Sequence, residues 1–294
     1  NFTTMTKSML NDGALQFWLD GQESKAKAPN ENLGRELMEL FVLGVNRYTE
    51  EDVKSISRVL TGYQVVRSNG DVTINQNRRD KNTVTLLGTT SAFTGDSVSE
   101  YLTGRDDAAN FIAERLWYRF ISSTEEMPAT FTAKSAFASR DIAAAVAAMA
   151  NDSAIRDERY AMVKSPVEWF ISACRALELT PSQLKTPNQL LNQLGKLGQV
   201  PFNPPSVGGW PAGEAWLSSA TAQYRIAFAT WLIKQSDLRV LNELPARQRV
   251  LKSADWLGVA EWSPRTQAAL RRSINDPKQF ALLALCSPEY IVNA

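Results

Sequence analysis

Acidic side chains are the residues best suited to chemistry in this sequence, because it contains no histidine. Two carboxyl groups about 5–9 Å apart can share the acid, base or nucleophile roles of glycoside hydrolysis. The candidates for such a catalytic pair are Glu36, Glu168 and Asp80. The competing interpretation, which we prefer, is a helical body in which glutamates pair with arginines. Helical periodicity cannot place Glu36 near Glu168, so a catalytic role for them is a hypothesis.

The absence of histidine also excludes whole classes of site. A Ser-His-Asp or Cys-His nucleophile, a histidine acid or base, and a histidine-ligated metal are all impossible. We therefore predict no metal site and no cofactor. A serine–lysine dyad at Lys164 and Ser165 is one alternative, but Ser165 followed by Pro166 is better explained as a helix N-cap.

Two cysteines, Cys174 and Cys286, lie in apolar, helix-like surroundings. Such cysteines are usually buried and unreactive. A disulfide between them requires Cα atoms within roughly 7 Å, which sequence cannot show. Whether the two are bridged therefore stays open.

The segment that organises the first half of the chain is residues 29–45, PNENLGRELMELFVLGV. Its leucines and Phe41 recur at the spacing of an α-helix with one core-facing stripe. Asn30 or Asn32 can cap this helix, and Gly44 can end it. Glu31, Arg35 and Glu39 share the opposite face, whereas Glu36 lies at the border of the apolar stripe. A carboxylate there must be paired or lie at a cleft. The segment is either a core helix with a solvated charged face, or the wall of a site lined by Arg35 and Glu36. In the second case the binding candidates are Asn30, Asn32, Arg35 and Glu36.

A second unusual segment is residues 198–216, GQVPFNPPSVGGWPAGEAW, which is rich in proline and glycine. Such a composition is incompatible with a helix or a central strand, and its aromatic residues argue against disorder. We predict an ordered loop. Its binding candidates, together with the nearby arginine, are Asn203, Trp210, Trp216 and Arg225. The aromatic side chains could form a platform for a sugar or a groove for a peptide, or they could simply fix the loop to the core.

Composition limits the remaining possibilities. The 294 residues are 44% hydrophobic, which suffices for a substantial core. The charges nearly cancel, with 32 basic and 31 acidic residues, so we predict no nucleic-acid partner. No apolar run is long enough for a transmembrane segment. The sequence opens on Asn1 without a basic leader, and we expect that an N-terminal segment is missing or has been removed.

The predicted fold is mainly α: one irregular multi-helix domain over residues 1–294. A small β insertion is expected over residues 63–90, because β-branched residues flank Asn69-Gly70, a strong hairpin signal. Residues 83–88 could add a third short strand. The main predicted helices are residues 2–20 (broken near Gly13), 29–45, a helix opened by Thr49, 105–122, 129–138, 141–150, a helix opened by Pro166, 215–234, and a helix opened by Pro277.

Three stretches together resemble the bacterial family called domain of unknown function 1800. They are residues 29–63, 162–179 and 197–225, beginning PNENLGRELMEL, MVKSPVEWF and LGQVPFNPP. The resemblance extends over essentially the whole chain. Members of that family are usually longer at the N-terminus, so this chain would correspond to roughly the C-terminal two-thirds of a typical member.

The resemblance implies a cellular location and a genetic neighbour, but it implies no reaction, because the family's activity is not established. It implies export from a bacterial cell, to the periplasm, cell surface or medium. It also implies a genetic neighbour that is sulfatase-like, a possible partner protein. One departure matters: the family tends to carry a His-Asp pair where this sequence has Arg79-Asp80, and a lysine where it has Val84. A histidine-dependent reaction of relatives would be lost here.

Two functions follow as expectations. The first is an exported, non-catalytic binding or assembly component that works with a partner protein or with itself. The alternative is an extracytoplasmic, carboxylate-dependent enzyme acting on a polysaccharide or another envelope polymer. For the second, Glu36 and another carboxylate must lie in one pocket. We also expect the loop at 198–216 to pack near the helix at 29–45.

Overall fold

A computed structural model describes residues 1–157 and 159–293 of the chain. It is mainly α, as predicted, with 57% of the chain in helices. The contacts between residues divide it into two compact units. The first unit comprises Asn1–Trp117 and Met127–Ile155, and the second comprises Tyr118–Glu126 and Arg156–Ala294. Each unit is described by itself below.

The α-helices of the first unit surround a small β region. They are α1 (Phe2–Leu10), α2 (Gly13–Trp18), α3 (Asn32–Glu36), α4 (Glu50–Val59), α5 (Gly95–Gly104), α6 (Asp106–Phe120, whose last residues belong to the second unit), α7 (Ala133–Ala136) and α8 (Ile142–Asn151). A π-helix occupies Leu37–Val42, and short 3-10 helices occupy Gly21–Glu23, Phe137–Ser139 and Ser153–Arg156.

The second unit is almost entirely helical. Its helices are α9 (Pro166–Ala176), α10 (Pro187–Lys196), α11 (Ser219–Ile233), α12 (Arg239–Glu243), α13 (Ala246–Leu257), α14 (Pro264–Arg272), α15 (Pro277–Leu285) and α16 (Pro288–Ile291), with 3-10 helices at Pro181–Gln183 and Gly213–Trp216. The predicted helix over 215–234 is therefore a 3-10 turn followed by α11.

Local capping signals explain where several helices begin. Asp12 accepts a hydrogen bond from the Leu15 amide, which separates α2 from α1 at the predicted break. Thr49 and Asp52 form a capping box at the start of α4, and Ser165, the predicted N-cap, forms a capping box with Glu168 at the start of α9. In each box, two backbone N–H groups that the helix leaves unpaired gain side-chain acceptors.

The predicted β insertion is confirmed, and it consists of two hairpins, with one strand more than expected. Strand β1 (Tyr63–Val65) pairs antiparallel with β2 (Val72–Ile74), across the predicted Asn69-Gly70 turn. Strand β3 (Val84–Leu86) pairs with β4 (Thr89–Ser91), which the sequence did not reveal. Leu87 and Gly88 make the second turn with positive φ values of 48° and 83°.

One further strand pair joins distant parts of the second unit. Strand β5 (Met162–Val163) precedes α9, and β6 (Val292–Asn293) follows α16. The two are antiparallel.

The organising segment at 29–45 is not one continuous α-helix, which corrects the prediction. After α3, the backbone widens into the π-helix, and the amides of Leu43 and Gly44 both donate to the Met38 carbonyl oxygen. The wider turn rotates the following side chains. Met38, Val42 and Leu43 are fully buried, whereas Leu40 and Phe41, expected in the core, are only half-buried.

Each unit contains its own hydrophobic core. In the first unit, buried side chains of α1, the segment 33–43, α4, β3 and α5 form one cluster. In the second unit, α9, α11, α13 and α15 supply the other cluster. Among the described residues, no helix combines the length and apolarity required to cross a membrane.

Candidate functional site

Arg35 is fully engaged by two acids of the first unit. Its guanidinium donates to both carboxylate oxygens of Glu50 at 2.8 Å and to Glu31 at 3.2 Å. The bond to Glu50 raises the pKa of Arg35 and lowers that of Glu50. The predicted pairing with Glu31 is confirmed, but the second acid is Glu50 at the start of α4, which the sequence analysis missed. The acids that follow the Thr49 cap, Glu50 to Asp52, were the sequence feature that could have indicated this partner.

Glu36 differs from its neighbours because it has no partner. Its side chain is half-buried, and within the described part of the chain it makes neither a hydrogen bond nor an ion pair. Burial and, secondarily, the charge of Glu39 raise its pKa, against a smaller opposing effect of Arg35. Such a carboxyl group holds its proton to higher pH than an exposed glutamate does, which is the property required of a general acid.

Glu39 lies on the π-helix and accepts a hydrogen bond from the hydroxyl of Tyr48. Burial and this bond raise the pKa of Tyr48 to about 12. We call Glu36, Glu39 and Tyr48 the acidic cluster. The prediction had placed Glu39 beside Arg35 on an exposed face, whereas the π turn directs it to Tyr48. Because Tyr48 follows nine residues later, outside the helix, helical periodicity could not have identified it.

Asn30 and Asn32 build the turn that begins the segment. The Asn30 side chain accepts from the Asn32 amide at 2.8 Å, and the Asn30 amide donates to the Ser24 hydroxyl at 3.1 Å. Asn32 donates to Asp20 at 3.2 Å. The first helical residue is Asn32, and the capping residue Glu31 makes no side-chain cap. Both amide side chains therefore have structural partners.

Asp80 has a structural role in this protein. Its side chain is 8% exposed and accepts from Arg58 at 2.7 Å and from both the backbone and side chain of Asn82. Burial would raise its pKa, but these bonds lower the pKa below the ordinary value. Asp80 is thus ionised and satisfied. Glu168 is likewise used in the α9 capping box, where it accepts from the Ser165 amide at 2.7 Å.

The proline–glycine loop (residues 198–216) is an ordered segment of the second unit. At its start, the Gln199 side chain accepts from the Val167 amide at 2.9 Å. At its end, the Trp216 ring is buried, and the Trp216 carbonyl oxygen accepts from Thr221 at 2.9 Å and Arg225 at 3.1 Å. Gly213, at a positive φ of 62°, leaves no room for a Cβ beside Ser123. The buried ring and the carbonyl oxygen of Trp216 thus anchor the end of the loop at the start of α11.

The middle of the proline–glycine loop is presented to solvent. Phe202 is fully exposed and has a left-handed φ of 63°. Val207 and Asn203 are also exposed, whereas Trp210 is half-buried. A bulky residue at positive φ is uncommon, and a fully exposed phenylalanine gains no burial in the isolated chain. The backbone conformation belongs to a turn at Pro201 and Phe202, which the Asn203 amide closes by donating to the Val200 carbonyl oxygen at 3.1 Å. Packing within the described part of the chain does not account for the exposure of the Phe202 ring.

Arg225 is the most deeply buried charged side chain near the loop. It is 2% exposed, and its Nη1 donates to the Trp216 carbonyl oxygen. Its Nε and Nη2 are buried without a hydrogen-bond partner among the described residues. Burial lowers the pKa of Arg225, and the nearby Cys286 opposes this weakly. Cys286 and Cys174 are both free thiols, each with a pKa raised to about 12 by burial.

Lys164 and Ser165 do not form a dyad. Ser165 caps α9, while the Lys164 amine donates to the Tyr290 carbonyl oxygen at 2.5 Å and lies 4.1 Å from the centre of the Tyr290 ring. Burial lowers the pKa of Lys164 to about 8, with a small opposing effect of Glu168. This contact could not be predicted from the sequence, because the contact depends on the pairing of β5 with β6.

The structure brings the predicted site residues together in two groups. Asn30, Asn32, Arg35 and Glu36 follow one another in the first unit, and Asn203, Trp210, Trp216 and Arg225 belong to one region of the second unit. That the two groups meet, and that Glu36 approaches Glu168, stay predictions. Among the described residues, no group of three or more acidic or cysteine side chains is placed to hold a metal ion.

Comparison with known proteins assigns the chain to a family. No curated protein and no solved structure matches it. The family model described as "Protein of unknown function (DUF1800)" matches residues 1–292, which include every candidate site residue named above. The chain therefore belongs to the DUF1800 family.

Proposed function

We propose that this protein is an exported, non-catalytic binding component that engages a partner protein through its proline–glycine loop. The observation that carries the proposal is Phe202, fully exposed at a left-handed φ of 63°. A non-glycine residue in this conformation costs roughly 1–2 kcal/mol. Strained residues of this kind concentrate at functional sites. A partner that buries Phe202 would compensate for the strain.

The anchoring of the loop supports the same role. The Gln199 side chain fixes the start of the loop by accepting a hydrogen bond from α9, and buried Trp216 fixes its end. Little conformational entropy of the loop would therefore be lost when Phe202 is bound. Exposed aromatic residues on rigid supports commonly dominate the binding free energy of protein interfaces. By family resemblance, a sulfatase-like neighbour is the first candidate partner, and the periplasm, cell surface or medium is the proposed location.

Substitution of Phe202 by asparagine separates binding from folding. Asparagine tolerates positive φ, so Phe202→Asn should keep the fold, with a gain of up to about 1 kcal/mol in the free energy of unfolding. When the tagged variant is isolated from its own bacterium, the amount of co-purified partner should fall to a tenth or less of the wild-type amount. Phe17→Asn is the matched control, since Phe17 is 60% exposed on α2 of the other unit.

Two outcomes would reject the proposal. One is a wild-type protein that is strictly monomeric and yields no stoichiometric partner. The other is undiminished partner recovery with Phe202→Asn, which would move the interface elsewhere. Fractionation of the same cells tests export separately, because the protein should leave the cytoplasm.

The acidic cluster supports a second candidate function, an enzyme acting on a polysaccharide or another envelope polymer. Within the described part of the chain the Glu36 side chain has no hydrogen-bond or ion-pair partner, and its raised pKa suits a proton donor. If this function is correct, Glu36→Gln should reduce polymer cleavage by roughly 100-fold or more. Glu51→Gln, an 81% exposed control, should leave it unchanged. Equal activity of Glu36→Gln and wild type, or no cleavage by either, would exclude this candidate.

A further inference from the structure

A groove in the second unit lies between α13 and α14 and is distinct from the proline–glycine loop in sequence. Its volume is about 440 Å³, within the range of small-molecule sites. Arg247, Val250, Leu251 and Ala254 recur at helical spacing on one face of α13 and line it. Trp262 and Ile274 complete its apolar surface.

Two hydrogen bonds fix the orientation of the groove. Arg249, in the first half of α13, donates to the Ile274 carbonyl oxygen at 2.6 Å, just beyond the end of α14. Near the other end of α13, the Trp262 ring N–H donates to the Ser253 hydroxyl at 3.1 Å. The first turn of α13 and the last turn of α14 therefore lie at the same end of the groove.

The charges in the groove are separated along its length. Arg247, in the first turn of α13, and Arg271, in the last turn of α14, line the end marked by Ile274. Glu261 lines the opposite end, beside Trp262. All three are exposed, and none of their side chains forms an ion pair or a hydrogen bond within the described part of the chain. One end of the groove thus has two guanidinium groups that are available to an anion.

We infer that this groove binds an amphipathic carboxylate, such as a medium-chain fatty acid. The carboxylate would lie between Arg247 and Arg271, where paired guanidinium groups suit its geometry. The chain would lie along Val250, Leu251, Ala254 and Trp262, which removes apolar surface from water. Glu261 at the far end disfavours a second anionic group, so a monocarboxylate fits better than a dicarboxylate.

Titration calorimetry of the full chain with decanoate tests the inference. We expect saturable binding at one equivalent, with decanol and the matching dicarboxylate at least tenfold weaker. Each exposed arginine–carboxylate contact contributes up to about fivefold in affinity. Arg247→Gln and Arg271→Gln should therefore each weaken binding by up to about fivefold, and the double variant by up to about 25-fold.

Two further variants keep the test decisive. Arg272→Gln removes an adjacent exposed arginine that does not line the groove, and it should bind decanoate as wild type does. Leu251→Glu, at a position that is 74% exposed and so safe for folding, should abolish binding. Absence of saturable binding to wild type, or unchanged affinity in both the double variant and Leu251→Glu, would overturn the inference.

Discussion

At the scale of single residues, Arg225 is a buried cation of the second unit whose guanidinium has no acid partner within the described part of the chain. A buried cation without an acid partner destabilises the folded state, and apolar replacement of buried ionic groups is often stabilising. The carbonyl oxygen of Trp216 keeps its bond from Thr221 when Arg225 is replaced. We therefore expect that Arg225 serves a function and does not stabilise the fold.

Replacement of Arg225 by methionine is predicted to raise the free energy of unfolding by roughly 1–3 kcal/mol. Denaturant unfolding of the variant and wild type measures the difference. Arg35→Met is the control, because Arg35 forms exposed ion pairs, and its replacement should change stability by less than about 1 kcal/mol. A loss of stability in Arg225→Met would mean that an anion or ordered water compensates the guanidinium.

Lys164 makes the stability depend on pH in the alkaline range. Burial lowers its pKa from 10.5 to about 8 in the folded state. Between these values the unfolded chain holds the proton while the folded chain releases it, so this contribution raises stability as pH increases, by at most about 1.4 kcal/mol per pH unit. Lys164→Met should remove the rise when urea unfolding is compared at pH 7.5, 8.5 and 9.5. Parallel profiles for the two proteins would contradict the assigned pKa.

At the scale of elements, predictability follows the range of the interactions. The N-caps at Thr49 and Ser165 were correctly predicted because each depends on residues within three positions along the chain. The π-helix was not predicted, because the apolar spacing of Leu33, Leu37, Leu40 and Phe41 suits an α-helix equally well. Packing of Met38, Val42 and Leu43 into the core stabilises the wider turn. That same turn gives Glu39 its contact with Tyr48. Because the helix was predicted to be α-helical throughout, Glu39 was wrongly placed beside Arg35.

Close packing of α3 on α4 depends on Gly34. A Cβ there would lie 2.7 Å from Cγ2 of Ile56 and 3.2 Å from the Ser57 hydroxyl. Gly34→Ala should therefore lower the free energy of unfolding by roughly 1–3 kcal/mol, although alanine favours the helix by about 1 kcal/mol. Thermal unfolding measures the change. Gly104→Ala in α5, where a Cβ meets nothing within 4 Å, should be neutral or stabilising. Equal effects of both substitutions would show that the two helices can separate.

At the scale of the whole molecule, the mainly α class and the hairpin at Asn69-Gly70 could be predicted from composition and local pattern. The pairing of β5 with β6 and the separation of the cores could not. Both depend on contacts between residues far apart in sequence, and no local signal specifies which apolar faces meet. The same limit applies to the predicted approach of the proline–glycine loop to the segment at 29–45.

The two separate cores lead to a prediction that distinguishes one cooperative domain from two. Leu37 is fully buried in the first core, and Phe228 is fully buried in the second, where it stacks on Phe170 at 5.3 Å. Leu37→Ala should destabilise by roughly 2–5 kcal/mol and Phe228→Ala by roughly 3–5 kcal/mol.

Native-state hydrogen exchange shows which helices lose stability in each variant. Because every member of each cluster belongs to one unit, Leu37→Ala should accelerate exchange in α1, α4 and α5 while α9, α11 and α15 keep their protection. Phe228→Ala should give the reverse pattern. Uniform acceleration in both units by either variant would instead establish the single cooperative domain that the sequence predicted, and a partner bound at the proline–glycine loop would then stabilise the entire chain.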